Sequence, residues 1–147
     1  YNMFNRWIEE DNLLDTLEDL GIGSIAFTPL AQGMLTKKYL SGVPNDSRAM
    51  QDKSLDRNKI KPELVEALNS LNGIASSRGQ SLAQMALAWV LRGGRVTTAL
   101  IGASKSEQIV DCVGVIENLN FTEDELLKID RLSGDLGINL WAASSEV

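Results

Sequence analysis

The sequence has 147 residues, 44% of them hydrophobic, with a formal net charge of −6. That length suits one domain, the acidic balance argues against a nucleic-acid partner, and no apolar run nears the roughly 18 residues a membrane helix needs. There is no histidine, so no His-based triad or His metal site can be built from this chain, and the one cysteine, Cys112, forms no internal disulfide and fits a reducing cytoplasm.

The opening YNMFNRWIEE has no signal-peptide pattern, and a start at Tyr1 rather than Met reads as a piece of a longer protein. Asp11 to Leu20 follows as an amphipathic helix, with Leu13, Leu14, Leu17 and Leu20 at helical spacing and Gly21 where a C-terminal cap belongs. Ser24 to Phe27 is a short apolar run closed by Pro29, too short for a helix and predicted as a buried strand. Residues 34 to 40 suit one or two helical turns. Ser41 to Lys61 has little periodicity, and a loop that long is usually functional or disordered.

Pro62 suits the first turn of a helix whose apolar face is Leu64, Val65, Leu68, Leu71 and Ile74, ended by Gly79. Ser81 and Gln84 form a capping box for a second helix carrying Leu82, Met85, Ala86, Trp89 and Val90, stopped by Gly93 and Gly94. Val96 to Ile101 is the second strand. After a Gly102–Ala103 turn, Ser104 and Glu107 make another box for a helix with Ile109, Cys112, Val113 and Ile116 on one side. Thr122 and Glu125 cap the last helix, with Leu126, Ile129 and Leu132. Strands separated by helices imply parallel pairing. A few parallel strands cannot cover their own edges, so the set belongs to something larger. A (βα)8 barrel takes about 250 residues, and this chain would supply its last third to half.

In such folds ligands meet the carboxyl ends of strands. The first such end is Phe27-Thr28-Pro29-Leu30-Ala31-Gln32-Gly33, an aromatic ring and then a small-residue turn; it reads either as a plain turn with Phe27 in the core or as amides facing an anion. The second, Ile101 to Gln108, runs through small residues into a helix N-terminus that can hold a phosphate, with Ser104, Lys105 and Ser106 adding donors; the competing reading is that Ser104 only caps the helix. Neither is a GxGxxG fingerprint nor a P-loop. Residues 37 to 61 hold seven bases against three acids, leaving seven bases against seventeen acids elsewhere. That basic segment is either a solvated loop or a local attraction for a small anion. Gln108, Asp111 and Cys112 follow one turn into the helix; for Cys112 the competing reading is core packing. Neither Tyr1 nor Tyr39 has a visible partner that would tune a phenol for acid catalysis.

Segments in order, Phe27 to Thr36, Gly42-Val43-Pro44 with Ser47-Arg48, Ser81 to Trp89 and Ile101 to Gln108, resemble the aldo-keto reductase family, most closely its branch of L-glyceraldehyde 3-phosphate reductases and potassium-channel β subunits. The resemblance implies an α/β fold, the (βα)8 TIM barrel, with residues 1–147 as its C-terminal portion and a catalytic N-terminal half lying outside the chain. It implies NADPH-dependent reduction of a small-molecule carbonyl substrate by the intact protein, or alternatively an inactive nucleotide-binding or oligomerising half-barrel; a homo-oligomer is expected. Residue by residue, it implies that Phe27 stacks on the nicotinamide, that Thr28, Pro29, Leu30, Ala31 and Gln32 wrap the pyrophosphate, and that Lys38 and Arg48 belong to a belt over the cofactor. Gly102, Ser104 and Lys105 would bind the 2′-phosphate, and Gln108, Asp111 and Cys112 would meet the adenosine end. Cys112 stands where the family usually has Asn, and Lys105 where Arg is common. No residue of this chain inherits a catalytic role.

Overall fold

A computed structural model describes residues 1–43 and 60–134. Arg48, most of the basic segment from Ser41 to Lys61, and Trp141 lie outside them. The first expected helix, Asp11 to Leu20, forms as Leu13–Asp19 (α2), and a short helix the sequence did not suggest, Trp7–Glu10 (α1), precedes it; Asn12, whose φ of 54° is left-handed, separates the two. Gly21 (φ 65°) closes α2 with a Schellman pair, Gly21 N donating to Glu18 O (3.0 Å) and Ile22 N to Leu17 O (2.8 Å). Of the four leucines predicted for the buried face only Leu14 is buried, and Leu20 is exposed.

Pro62–Ser77 (α3) starts at its proline and ends through the same pair at Gly79 (φ 70°), with Gly79 N on Ser76 O and Gln80 N on Ala75 O. Leu82–Leu91 (α4) has the predicted capping box, Ser81 Oγ accepting from Gln84 N (3.1 Å) and Gln84 Oε1 from Ser81 N (2.9 Å). Ser106–Val113 (α5) and Glu123–Leu132 (α6) follow, and α6 carries the predicted Thr122–Glu125 box. Helix α4 is apolar almost all round and packs between α3 and α5. Met85, Ala86, Trp89 and Val90 join the main core with Leu68, Leu71, Leu35 and Met34; Leu87 and Ala88 join a second cluster with Cys112 and Val115.

Two strands, Ile25–Ala26 (β1) and Thr98–Ala99 (β2), pair in parallel with Ile25 opposite Thr98 and Ala26 opposite Ala99. Both are shorter than the sequence predicts. Pairing continues as Thr98 N to Ser24 O (3.1 Å) and Leu100 N to Ala26 O (2.9 Å), but a strand with only one neighbour extends no further than that neighbour's register. Only one face is covered. Ala26 is buried under the helices, whereas Ile25, Phe27 and Leu100 are exposed. The expected burial on both faces needs strands beyond those described here. The apolar side expected for α5 is corrected likewise: the helix ends at Val113 and Ile116 falls in the 3-10 turn Gly114–Glu117; Cys112 is buried, but Ile109, Val113 and Ile116 are about half exposed or more.

Candidate cofactor-binding end of the sheet

Because β1 and β2 are parallel and in register, the segments that follow them leave the sheet at the same end. The first is pinned from below. The main-chain nitrogen of Tyr1 donates to Phe27 O (3.0 Å), and Asn2 Nδ2 donates to Thr28 O (3.0 Å). Phe27 is exposed at the strand end, on the face of the sheet that the described residues leave uncovered. The turn after it is unusual. Thr28, Ala31 and Gln32 have φ of 55°, 48° and 58°, three left-handed non-glycine residues in five positions. Its amides divide into two sets. Ala31, Gly33, Met34 and Leu35 donate to carbonyls of Thr28, Leu30 and Ala31, and the Leu30 and Gln32 amides have no backbone acceptor among the described residues. Gln32 Oε1 is buried with no partner among the described residues. The turn runs into Lys37–Tyr39, where Thr36 Oγ1 accepts from Lys38 N (3.2 Å) and Lys38 is exposed.

The second segment differs from the prediction at its helix start. Lys105, not Ser104, is the N-cap, with extended backbone (φ −143°, ψ 147°), and Gln108 replaces Glu107 as the residue that folds back. Gln108 Oε1 accepts from Ser104 N (2.8 Å), Lys105 N (3.3 Å) and Ser104 Oγ (3.3 Å). The carboxamide thus occupies donors that a phosphate would take, and it would have to swing aside for one. Gly102, Ser104, Lys105 and Gln108 are all exposed, and a side chain at Gly102 would meet nothing within 4 Å. The backbone there is open to an incoming group.

Asp111 and Cys112 point to different duties. Asp111 Oδ2 accepts from Ser81 Oγ (3.0 Å), and its carbonyl accepts from Gln84 Nε2 (2.8 Å), so the capping box of α4 also fastens α5. Sequence reasoning missed this link, which spans about thirty residues and has no local signal. The Cys112 side chain packs against Leu87, Ala88 and Val115, and burial and then the Asp111 charge push its thiol pKa up. Tyr1 hydrogen-bonds Glu9 and receives Arg92 Nη1 (2.9 Å), and burial and Glu9 raise its pKa; Tyr39 is buried in the core. Among the described residues no His, Cys, Asp and Glu grouping could hold a metal ion, and no helix is long and apolar enough to cross a membrane.

The aldo/keto reductase family profile matches residues 1–133. The chain belongs to the aldo/keto reductase family. It is 51% identical to an L-glyceraldehyde 3-phosphate reductase of Escherichia coli strain K12, over 99% of this chain and 43% of that protein. It is 35% identical to a probable voltage-gated potassium channel subunit beta of Oryza sativa, over 86% of this chain and 40% of that one. A glycerol dehydrogenase from Gluconobacter oxydans matches its structure with a TM-score of 0.72 and 31% identity, over 90% of this chain and 40% of that chain. A thermostable aldo-keto reductase matches at 0.60 and 22% identity, which speaks to the fold alone. The chain therefore spans less than half the length of these relatives. Its fold is part of the family's TIM barrel, and the uncovered face of β1 and β2 is the face such a barrel would enclose.

Proposed function

We propose that residues 1–147 form the C-terminal portion of an aldo-keto reductase barrel and carry most of an NADP(H) site, and that the intact protein reduces a small aldehyde or ketone. The observation that carries this reading is the shared end of the two strands: an exposed aromatic ring and a left-handed turn at one, an open backbone and a helix N-terminus with Lys105 at the other. The residues suit the group. Phe27 would lie against the nicotinamide, the Thr28–Gln32 turn would face the pyrophosphate, and a ribose hydroxyl beside it would donate to the orphaned Gln32 Oε1. Gly102, Ser104 and Lys105 would hold the 2′-phosphate at the start of α5, where the helix dipole favours a negative charge, and Gln108 and Asp111 would border the adenosine. Lys38 and Arg48 would close over it. The bound dinucleotide supplies the hydride. This chain supplies the shelf, the charge and the exclusion of water, and the proton donor lies in the rest of the barrel. The similarity to an L-glyceraldehyde 3-phosphate reductase makes a short phosphorylated aldehyde the first substrate to try.

The experiment is Lys105→Glu in the full-length polypeptide. One charge-assisted contact contributes about 1.5–3 kcal/mol, so NADPH binding should weaken roughly 10- to 150-fold. NADH binding, which lacks the 2′-phosphate, should be spared. Equal loss for both would remove Lys105 from the phosphate site. The uncovered faces of β1, β2 and α5 favour a second reading for the chain taken alone: a half-barrel that associates with copies of itself and reduces nothing.

A further inference from the structure

We infer that Asn2 is a positioning residue for the dinucleotide: its carboxamide holds Thr28, and with it the left-handed turn that offers the Leu30 and Gln32 amides to a phosphate. The inference rests on the reading of Phe27 to Gln32 as the pyrophosphate turn. Asn2 is a buried polar residue, 6% exposed. Both ends of its carboxamide are used, Oδ1 accepting from Phe4 N (2.9 Å) and Nδ2 donating to Thr28 O (3.0 Å). Its orientation is therefore fixed from its own side before it touches the turn.

The turn needs such a hold. Of the four non-glycine residues with positive φ among the described residues, three are Thr28, Ala31 and Gln32. L-residues adopt that conformation only when their surroundings over-determine it. Inside the turn the Ala31, Gly33, Met34 and Leu35 amides bond its own carbonyls, and two clamps reach it from the first two residues of the chain. One clamp is the main-chain bond from Tyr1 to Phe27 O, and the other is the Asn2 side chain on the next carbonyl. The clamp in turn is anchored. The Tyr1 ring lies 5.2 Å from that of fully buried Trp89, whose other neighbours are the guanidiniums of Arg6 (4.5 Å) and Arg92 (3.8 Å). Arg92 also holds Glu9 and the Tyr1 hydroxyl, and Arg6 holds Asp130 and Ser133. Residues 1 and 2 thus tie the turn to α1, α4 and α6 at once. The contact spans 26 residues and no motif announces it.

Asn2→Asp in the full-length polypeptide tests this. The variant keeps an oxygen for Phe4 N but sets a carboxylate oxygen against Thr28 O, so the turn loses its donor at nearly constant volume. NADPH titration by protein fluorescence should show affinity falling about 3- to 10-fold, the worth of one hydrogen bond. Adding Ala31→Gly, which removes the strain at φ 48°, should recover most of that loss, and this recovery is what a purely structural role would not produce. Thermal midpoints measured alongside report folding. Wild-type affinity in Asn2→Asp overturns the inference, as does a loss that Ala31→Gly leaves untouched. Wild-type protein that binds no NADPH overturns the dinucleotide reading itself, and the inference with it.

Discussion

Arg78 offers the sharpest test of how this chain holds together. Its side chain is 3% exposed. Nη1 bonds Glu125 Oε2 (2.8 Å), Nη2 bonds the carbonyls of Asn120 (2.9 Å) and Asn118 (3.3 Å), Nε bonds Gln80 Oε1 (2.8 Å), and the guanidinium lies 3.8 Å from the centre of the Phe121 ring. It stitches the end of α3 to the segment leading into α6. Arg78→Met keeps the apolar stem and removes every donor. Breaking a buried ion pair costs about 3–5 kcal/mol when the partner is stranded. Glu125 is 24% exposed and keeps its bonds to Thr122, so it regains water and the lower end applies. Losing the contact with the Phe121 ring adds about 0.5–1 kcal/mol; Asn118 O keeps its bond from Gln80 Nε2 (2.9 Å), and Asn120 O loses its Arg78 donor. The expected destabilisation is about 3.5–4 kcal/mol, read as a shift in the urea midpoint at unchanged m-value. A change below about 0.5 kcal/mol, the level of an ordinary surface substitution, would refute the claim that this network holds α3 to α6.

The same pair sets a pH dependence. Partial burial pushes the Glu125 pKa up, but the bonds from Thr122 and Arg78 and the Arg78 charge outweigh it and leave it below the usual value. A lowered folded pKa means stability is complete above the unfolded value of about 4.3 and is lost as pH falls below it; urea midpoints between pH 6 and pH 3 should drop more steeply for wild type than for Glu125→Gln. Gly114→Ala would place a Cβ 2.6 Å from Gln84 Nε2 and push that side chain off Asp111 O, at a cost of about 1 kcal/mol by thermal unfolding; no change would mean the α4–α5 tie is unimportant. The isolated 147-residue chain should associate at low micromolar concentration in light scattering, since Ile25, Phe27, Leu100, Ile109, Val113 and Ile116 are uncovered, and it should oxidise no NADPH with a reactive aldehyde. A monodisperse 16.1 kDa species would contradict the first expectation and turnover above a blank the second.

What could be read from the residues divides by range. The Pro62 start, the Gly21 and Gly79 ends and the boxes at Ser81–Gln84 and Thr122–Glu125 rest on neighbours within four positions, so local chemistry decides them. The strands were located but over-long, because a ladder extends only where a partner strand runs beside it. The start of α5 shifted because the extended backbone at Lys105 brings Gln108, not Glu107, back over the cap. The apolar side of α5 read as core, and it is one only if something beyond the described residues covers it. Arg78, Asn2 and the Asp111 tie were invisible for a common reason: each acts on partners some 25 to 50 residues away, and no short motif encodes that. In the candidate site, the two strand ends at Phe27 and at Gly102–Lys105 were legible from order alone, and packing of Cys112 was one of two readings, whereas the exposure of Phe27 and the strain at Thr28, Ala31 and Gln32 needed coordinates.

The central claim is that these two strand ends make a site for a dinucleotide bearing a 2′-phosphate. The most direct measurement is a paired titration of the full-length polypeptide with NADPH and NADH by protein fluorescence at fixed ionic strength. The account predicts saturable binding of both, with NADPH tighter by roughly tenfold or more, the worth of one charge-assisted contact at Lys105. Equal affinity for the two would contradict the phosphate site at the start of α5, and no binding of either would contradict the dinucleotide reading.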